Sequence, residues 1–207
     1  MVKVEPHDLL KIASVADLSG DDLPAWAKTI FPDSLTVVVR RSEILNDLIP
    51  VGIRGVKREQ RFATYIEETA IKGVITPYEL VNDHAWEQVS NERQQLPAMK
   101  VLPMVAKILS GYHWGISGSV GFELATKTKT AKMTSDLDLI WKPDHPIDKP
   151  AAKELLQKLN QFGVHADLQV IQNSNGFSLE EYANSSSTIM MKTLGGPILV
   201  KDPWIKK

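Results

Sequence analysis

The chain of 207 residues contains no cysteine. Disulfides, thiolate zinc sites and cysteine nucleophiles are therefore excluded, and the composition is compatible with a reducing compartment. No apolar run approaches the length of a membrane span. The opening stretch, Met1 to Leu10, lacks the long apolar core of a secretory signal, so a soluble, cytoplasmic protein is expected. Charge of one sign is missing too: 24 Lys and Arg against 25 Asp and Glu leave a formal net charge of -1. That balance disfavours a duplex nucleic acid partner, which needs a basic footprint. There is no internal repeat and no low-complexity tract. The common phosphate loops, Gly-x-x-x-x-Gly-Lys and Gly-x-Gly-x-x-Gly, do not occur, and the histidines show no metal-ligand spacing. Ser119 stands where a nucleophile elbow needs its second glycine, so Ser117 fits poorly as a hydrolase nucleophile.

What is present is an ordinary globular composition, 43% hydrophobic, long enough for one large domain or two small ones. The informative stretch runs from Gly115 to Trp141. It reads as a strand, a tight Gly118-Ser119 turn into a helix, a Lys/Thr-rich loop, and a second strand carrying Asp136 and Asp138. Alternation on that strand sends Leu137, Leu139 and Trp141 to one side and both carboxylates to the other. A later strand, Val164–Val170, alternates in the same way and puts His165, Asp167 and Gln169 on one face. Three like charges facing one way repel each other unless a cation sits among them. Asp136, Asp138 and Asp167 are therefore candidate ligands of a two-metal Mg²⁺ site, and the Gly-Ser turn opening a helix suits a phosphate. The plain alternative is three solvent-facing aspartates on half-exposed strands. The loop Thr126–Ser135, with Lys127, Lys129 and Lys132, is either a mobile solvated connection or a set of cations for a polyphosphate.

Elsewhere the pattern predicts strands at Leu35–Arg41 and Val51–Val56, with residues 6–14 undecided between strand and short helix. A short helix is expected near Pro24–Ile30. Phe62, Ile66 and Ala70 recur every four residues, which predicts a helix over Glu59–Ile71. Beside it Arg54, Lys57, Arg58 and Arg61 form the most basic stretch, a solvated face or a phosphate clamp. Thr76-Pro77-Tyr78-Glu79 is a helix start, expected to run to about Val89. The polar run Ser90–Gln95 reads as a boundary between domains 1–95 and 96–207. Helices are expected at Pro103–Leu109, at Ala151–Phe162 and after the capping box at Ser178, and β-like pieces at Thr188–Leu194 and Pro197–Lys201. The fold class is α/β, or α+β in strict usage: a C-terminal mixed sheet with flanking helices, preceded by a smaller α/β domain, with the active site expected in the cleft between them.

Gly118-Ser119, Ser135-Asp136-Leu137-Asp138-Leu139 and Ala166-Asp167-Leu168 resemble the signature of the DNA polymerase β-like nucleotidyltransferase superfamily. Pro6-His7-Asp8-Leu9-Leu10, Val51-Gly52-Ile53-Arg54-Gly55, Arg58-Glu59-Gln60-Arg61-Phe62, Trp114-Gly115 and the run Gly118–Thr126 make the closer resemblance, to the malonate decarboxylase holo-acyl-carrier-protein synthases, also called phosphoribosyl-dephospho-CoA transferases. That resemblance covers most of the chain. It implies transfer of 2′-(5-triphosphoribosyl)-3′-dephospho-CoA to a serine of the apo acyl carrier subunit, with a phosphodiester formed and pyrophosphate released. Under it Asp136 and Asp138 are metal ligands, Asp167 a ligand or general base, and Gly118 and Ser119 hold the pyrophosphate. Arg54, Arg58 and Arg61 are expected substrate contacts or docking residues for an acidic carrier protein, Lys132 is an expected substrate contact, and no nucleic acid or membrane partner is implied. The alternatives are another acceptor, such as a citrate lyase-type carrier or a small molecule, and a non-catalytic domain that binds dephospho-CoA or a carrier protein.

Overall fold

The computed structural model describes residues 3–19, 23–30, 35–55 and 59–205. Two compact units make up the chain, residues 1–76 and 77–207. The architecture is α+β, with one six-stranded sheet in each unit.

The first unit contains β1 (Leu9–Ile12), β2 (Leu18–Ser19), helix α1 (Ala25–Ile30), β3 (Leu35–Val39), β4 (Ile49–Arg54), β5 (Arg61–Ile66) and β6 (Ile71–Ile75). Its strand order is β2-β5-β4-β3-β1-β6, and every neighbouring pair is antiparallel. Alternation sends Leu10, Ile12, Val37, Val39, Val51, Ile53 and Ile66 into one core, against which Trp26 of α1 packs. The undecided segment 6–14 is thus the strand β1. Val56, the expected end of the second strand, lies outside the described residues.

The helix expected over Glu59–Ile71 is not there: the segment is β5 followed by a single 3₁₀ turn at Glu68–Ala70. A spacing of four satisfies both a helical face and every second residue of a strand twice over. Thr64 settles it, since it lies between Phe62 and Ile66 on the same strand face, is 4% exposed, and donates its hydroxyl to the carbonyl of Ser19 in β2.

The second unit opens with α2 (Pro77–Asn82), α3 (Asn91–Gln94), α4 (Pro97–Lys100) and α5 (Leu102–Ile108). Then come β7 (Trp114–Ile116), α6 (Gly118–Thr126), β8 (Leu137–Trp141), α7 (Lys149–Asn160), β9 (Ala166–Gln172), β10 (Asn175–Ser178), α8 (Leu179–Asn184), β11 (Ile189–Thr193) and β12 (Gly196–Val200). The sheet order is β12-β11-β10-β9-β8-β7; β8 and β9 are parallel and the other pairs antiparallel, so this is the expected mixed sheet. Asp148 caps α7, accepting from the Ala151 amide at 2.8 Å, and the helix buries Ala152, Leu155, Leu156 and Leu159. Ser178 caps α8 by accepting from the Glu181 amide.

Two expectations need correction here. Helix α2 stops at Asn82, because His84 takes a left-handed backbone (φ 48°), and a 3₁₀ turn over Ala85–Gln88 continues the segment. The division between units falls after Thr76 rather than after residue 95. Helix α2 is bound into the second unit through β7: a methyl group added at Gly115 would lie 2.7 Å from the Pro77 backbone. The polar run Ser90–Gln95 is mostly α3, whose Arg93 is committed inside that unit. Among the described residues, no helix is long and apolar enough to cross a membrane.

Candidate active site

The site begins with the connection from β7 to β8. Ile116 pairs with Leu139, and the next residue, Ser117, donates its amide to the Asp138 carbonyl at 2.9 Å. The chain then turns into α6 at Gly118, with φ 63°, a conformation glycine accepts at little cost. The Asp138 carboxylate lies directly over that glycine: an added Cβ would fall 1.7 Å from Oδ2 and 2.4 Å from Cγ. Gly121, one turn on, presses its Cα side against the Ile116 carbonyl, where a Cβ would come within 2.5 Å. Both glycines exist because two backbones and a carboxylate share the space of one side chain.

Asp138 is paired in register with Asp167 across the parallel strands β8 and β9. Parallel neighbours lie about 4.8 Å apart, so the two carboxylates leave the sheet side by side. Their flanking residues, Leu137, Leu139, Ala166 and Leu168, are all at most 1% exposed, while Asp138 is half-buried and Asp167 exposed. The start of β9 is fixed from α7, where the Asn160 side-chain oxygen accepts the Ala166 amide at 2.9 Å. Asp136 precedes β8 and is exposed, two residues and therefore about 6.5–7 Å along the strand direction from Asp138. The near pair is Asp138 with Asp167, and Asp136 extends the row. Among the described residues, no group of three or more acidic or histidine side chains closes into a ready metal cage. The all-oxygen donor set still suits Mg²⁺, which is commonly held by one or two carboxylates and completes its shell with phosphate oxygens and water.

The expected strand Val164–Val170 begins only at Ala166; His165 immediately precedes β9 and turns to α8, where its Nε2 lies 3.7 Å from Glu180 Oε2. Ser119, in the first turn of α6, has its Oγ 3.2 Å from Ser135 Oγ, and Ser135 Oγ also accepts the Lys132 amide at 2.9 Å. The Lys/Thr loop is therefore pinned to α6 rather than a free solvated connection. Lys132 itself is exposed. Arg54 and Arg61 face each other in the β4–β5 register of the first unit, the former half-buried and the latter exposed. Arg58 lies outside the described residues.

Two residues of consequence escaped the sequence reading. Glu123 of α6 is 2% exposed; it receives Arg93 Nε at 2.6 Å and Nη2 at 2.8 Å, and the amides of Thr130 and Ala131 at 2.8 Å each. Burial pushes the Glu123 carboxyl up, but the hydrogen bonds from Arg93, Ala131 and Thr130 outweigh it and hold the group below the usual carboxylate range. The signal was in the sequence: a glutamate between Phe122 and Leu124 on a buried helix demands a partner.

Comparison with known proteins agrees with this organisation. The model of the "Phosphoribosyl-dephospho-CoA transferase MdcG N-terminal domain" matches residues 5–77, and that of the corresponding C-terminal domain matches residues 84–203. The chain belongs to this family. Relatives named phosphoribosyl-dephospho-CoA transferase include one from Klebsiella pneumoniae, 34% identical over 207 residues (96% of this chain, 95% of the relative). Others are from Pseudomonas aeruginosa, 33% identical over 202 residues (97% and 93%), and Azotobacter vinelandii, 32% identical over 200 residues (97% and 94%). No solved structure matches the chain. As a member of the phosphoribosyl-dephospho-CoA transferases, the chain is a transferase enzyme.

Two outcomes follow from this geometry. Gly118→Ala should fold but displace the Asp138 carboxylate, lowering transferase kcat/KM by about a hundredfold, the cost of an ångström-scale misplacement. Wild-type turnover in that variant, at unchanged Tm, would contradict the packing described. Because the Glu123 carboxyl is depressed, its stabilisation is present above the unfolded-state value near pH 4.3 and lost as pH falls through the lower folded value. The stability gap between wild type and Glu123→Gln, measured by urea unfolding, should be about 3–5 kcal/mol at pH 7 and shrink toward pH 3.

Proposed function

We propose that the enzyme joins 2′-(5-triphosphoribosyl)-3′-dephospho-CoA to a serine of the apo acyl carrier subunit of malonate decarboxylase. The serine oxygen bonds to the α-phosphorus of the triphosphate, the bond from that phosphorus to the bridging oxygen breaks, and pyrophosphate leaves. The product is a phosphodiester. The observation that carries this reading is the register of Asp138 with Asp167 beside the Gly118-Ser119 turn, in a chain that matches both domains of the family.

In this reading the arrangement is that of the polymerase β-like nucleotidyltransferases. Asp136 and Asp138 would hold Mg²⁺, and Asp167 would serve as a further ligand or accept the proton of the attacking hydroxyl. Bound there, in one or two copies, the cation would supply charge neutralisation for the departing pyrophosphate and acidify the hydroxyl. Backbone amides after Gly118 and the hydroxyl of Ser119 grip the pyrophosphate at the start of α6. Lys132 adds a cation on the same side. Arg54, Arg58 and Arg61 of the first unit are assigned to substrate contacts or to docking an acidic carrier protein. A cytoplasmic setting fits, since neither core depends on a disulfide.

The test is pyrophosphate release from the triphosphoribosyl substrate with apo carrier subunit, in Mg²⁺ or in EDTA, for wild type and Asp136→Ala. Expected are metal-dependent release and a matching mass gain on the carrier. Asp136→Ala should be slower by roughly two orders of magnitude or more, since several kcal/mol of charge stabilisation are lost. Release with a citrate lyase-type carrier but none with the malonate decarboxylase subunit would overturn the assigned acceptor. Unchanged turnover in Asp136→Ala would overturn the assigned metal site.

A further inference from the structure

Helix α6 carries a full negative charge on its buried side, Glu123, among Val120, Phe122 and Leu124. Such a charge is costly unless it is paired and fully hydrogen-bonded. Its side-chain partners all come from outside α6. Arg93 of α3 grips both carboxylate oxygens and, through Nη2, also donates to the Ala131 carbonyl at 2.7 Å. The Thr130 and Ala131 amides converge on Oε2. These contacts bear on one segment, the strap over residues 127–135.

The strap is tied at three further points. Lys127, with φ 60°, caps α6 by donating its amide to the Glu123 carbonyl at 2.8 Å. Thr130 Oγ1 donates to the Ser119 carbonyl at 2.8 Å, and Ser135 Oγ gathers the Lys132 amide and lies against Ser119 Oγ. The strap thus crosses from the last turn of α6 back to its first and delivers the chain to Asp136. Of its lysines, Lys129 is ion-paired with Glu92 at 3.8 Å, whereas Lys132, exposed, has no ion pair among the described residues.

We propose that Arg93 and Glu123 are positioning residues that hold the strap, and with it Lys132 and Ser135, against the first turn of α6 as one wall of a polyphosphate-binding site. This rests on the reading of that turn as the pyrophosphate grip. Arg93 acts at a distance: its guanidinium is committed to Glu123 and Ala131, and Lys132 is the cation that meets the phosphates. Arginine suits the place better than lysine, because a lysine ammonium keeps the charge but lacks the planar fork that grips both carboxylate oxygens and reaches the Ala131 carbonyl.

The experiment measures three quantities for wild type, Arg93→Lys, Arg93→Ala and the milder Thr130→Val, which removes only the Ser119 tie. They are the Kd for inorganic pyrophosphate, the KM for each of the two substrates, and the rate of tryptic cleavage after Lys129 and Lys132. The expected result for Arg93→Ala is a pyrophosphate Kd and a triphosphoribosyl-substrate KM raised about tenfold or more. Carrier KM should be unchanged and strap cleavage faster, with Arg93→Lys and Thr130→Val intermediate. A folded variant with a faster-cut strap but wild-type pyrophosphate affinity would overturn the proposal while leaving the active-site reading intact. Failure of the wild-type enzyme to bind pyrophosphate at all would overturn both.

Discussion

The second unit depends on one constraint: β8 and β9 must run parallel in a register that sets Asp138 beside Asp167. A parallel pair needs a crossover, here α7, and a one-residue slip of either strand would send a carboxylate into the core and a leucine into water. The apolar residues on either side of each aspartate make that slip expensive. The register is locked from both flanks. Asn160 holds the head of β9, the Ser117 amide holds β8 at Asp138, and the Leu137 amide reaches the His165 carbonyl at 2.9 Å. Gly118 is a consequence of the same constraint, since the Asp138 carboxylate occupies the place a side chain would take.

The buried Arg93–Glu123 pair solves a different problem. Ten residues of connection, 127–136, between the end of α6 and the start of β8 would ordinarily be free to move, at roughly the loop-closure cost of any long turn. Placing a carboxylate inside α6 and letting loop amides complete its hydrogen bonds turns that connection into a fixed surface. An ion pair of this kind is weak evidence for stability but a strong determinant of geometry, because a misplaced partner leaves a bare charge in the core. It also explains why α3 belongs with the second unit although its sequence looks like linker.

Much of this was readable in the sequence, and the exceptions have physical causes. Alternation around Asp138 and Asp167 identified the faces at the starts of β8 and β9, while further along both strands are buried on both faces, at Ile140, Gln169 and Ile171. Helix-start signals at Thr76-Pro77 and Ser178 were equally local and equally readable. The helix expected over Glu59–Ile71 failed because a four-residue spacing is common to both periods, and the deciding contact, Thr64 to Ser19, is distant in sequence. Helix α2 ended early because a left-handed residue at His84 leaves little trace in composition. Arg93 was invisible as a structural residue for the same reason as Thr64: its partners, Glu123 and Ala131, lie in other segments. A charged residue looks identical in sequence whether it is solvated or buried.

The measurement closest to the central claim is Mn²⁺ binding followed by electron paramagnetic resonance, with inorganic pyrophosphate present, in wild type, Asp138→Asn and Asp167→Asn. The paired register predicts Mn²⁺ bound by the wild-type enzyme, with affinity falling in each variant, most in Asp138→Asn, while the far-ultraviolet circular dichroism stays unchanged. Equal Mn²⁺ affinity in all three proteins would mean that these carboxylates do not share a cation, and the site as described would be wrong.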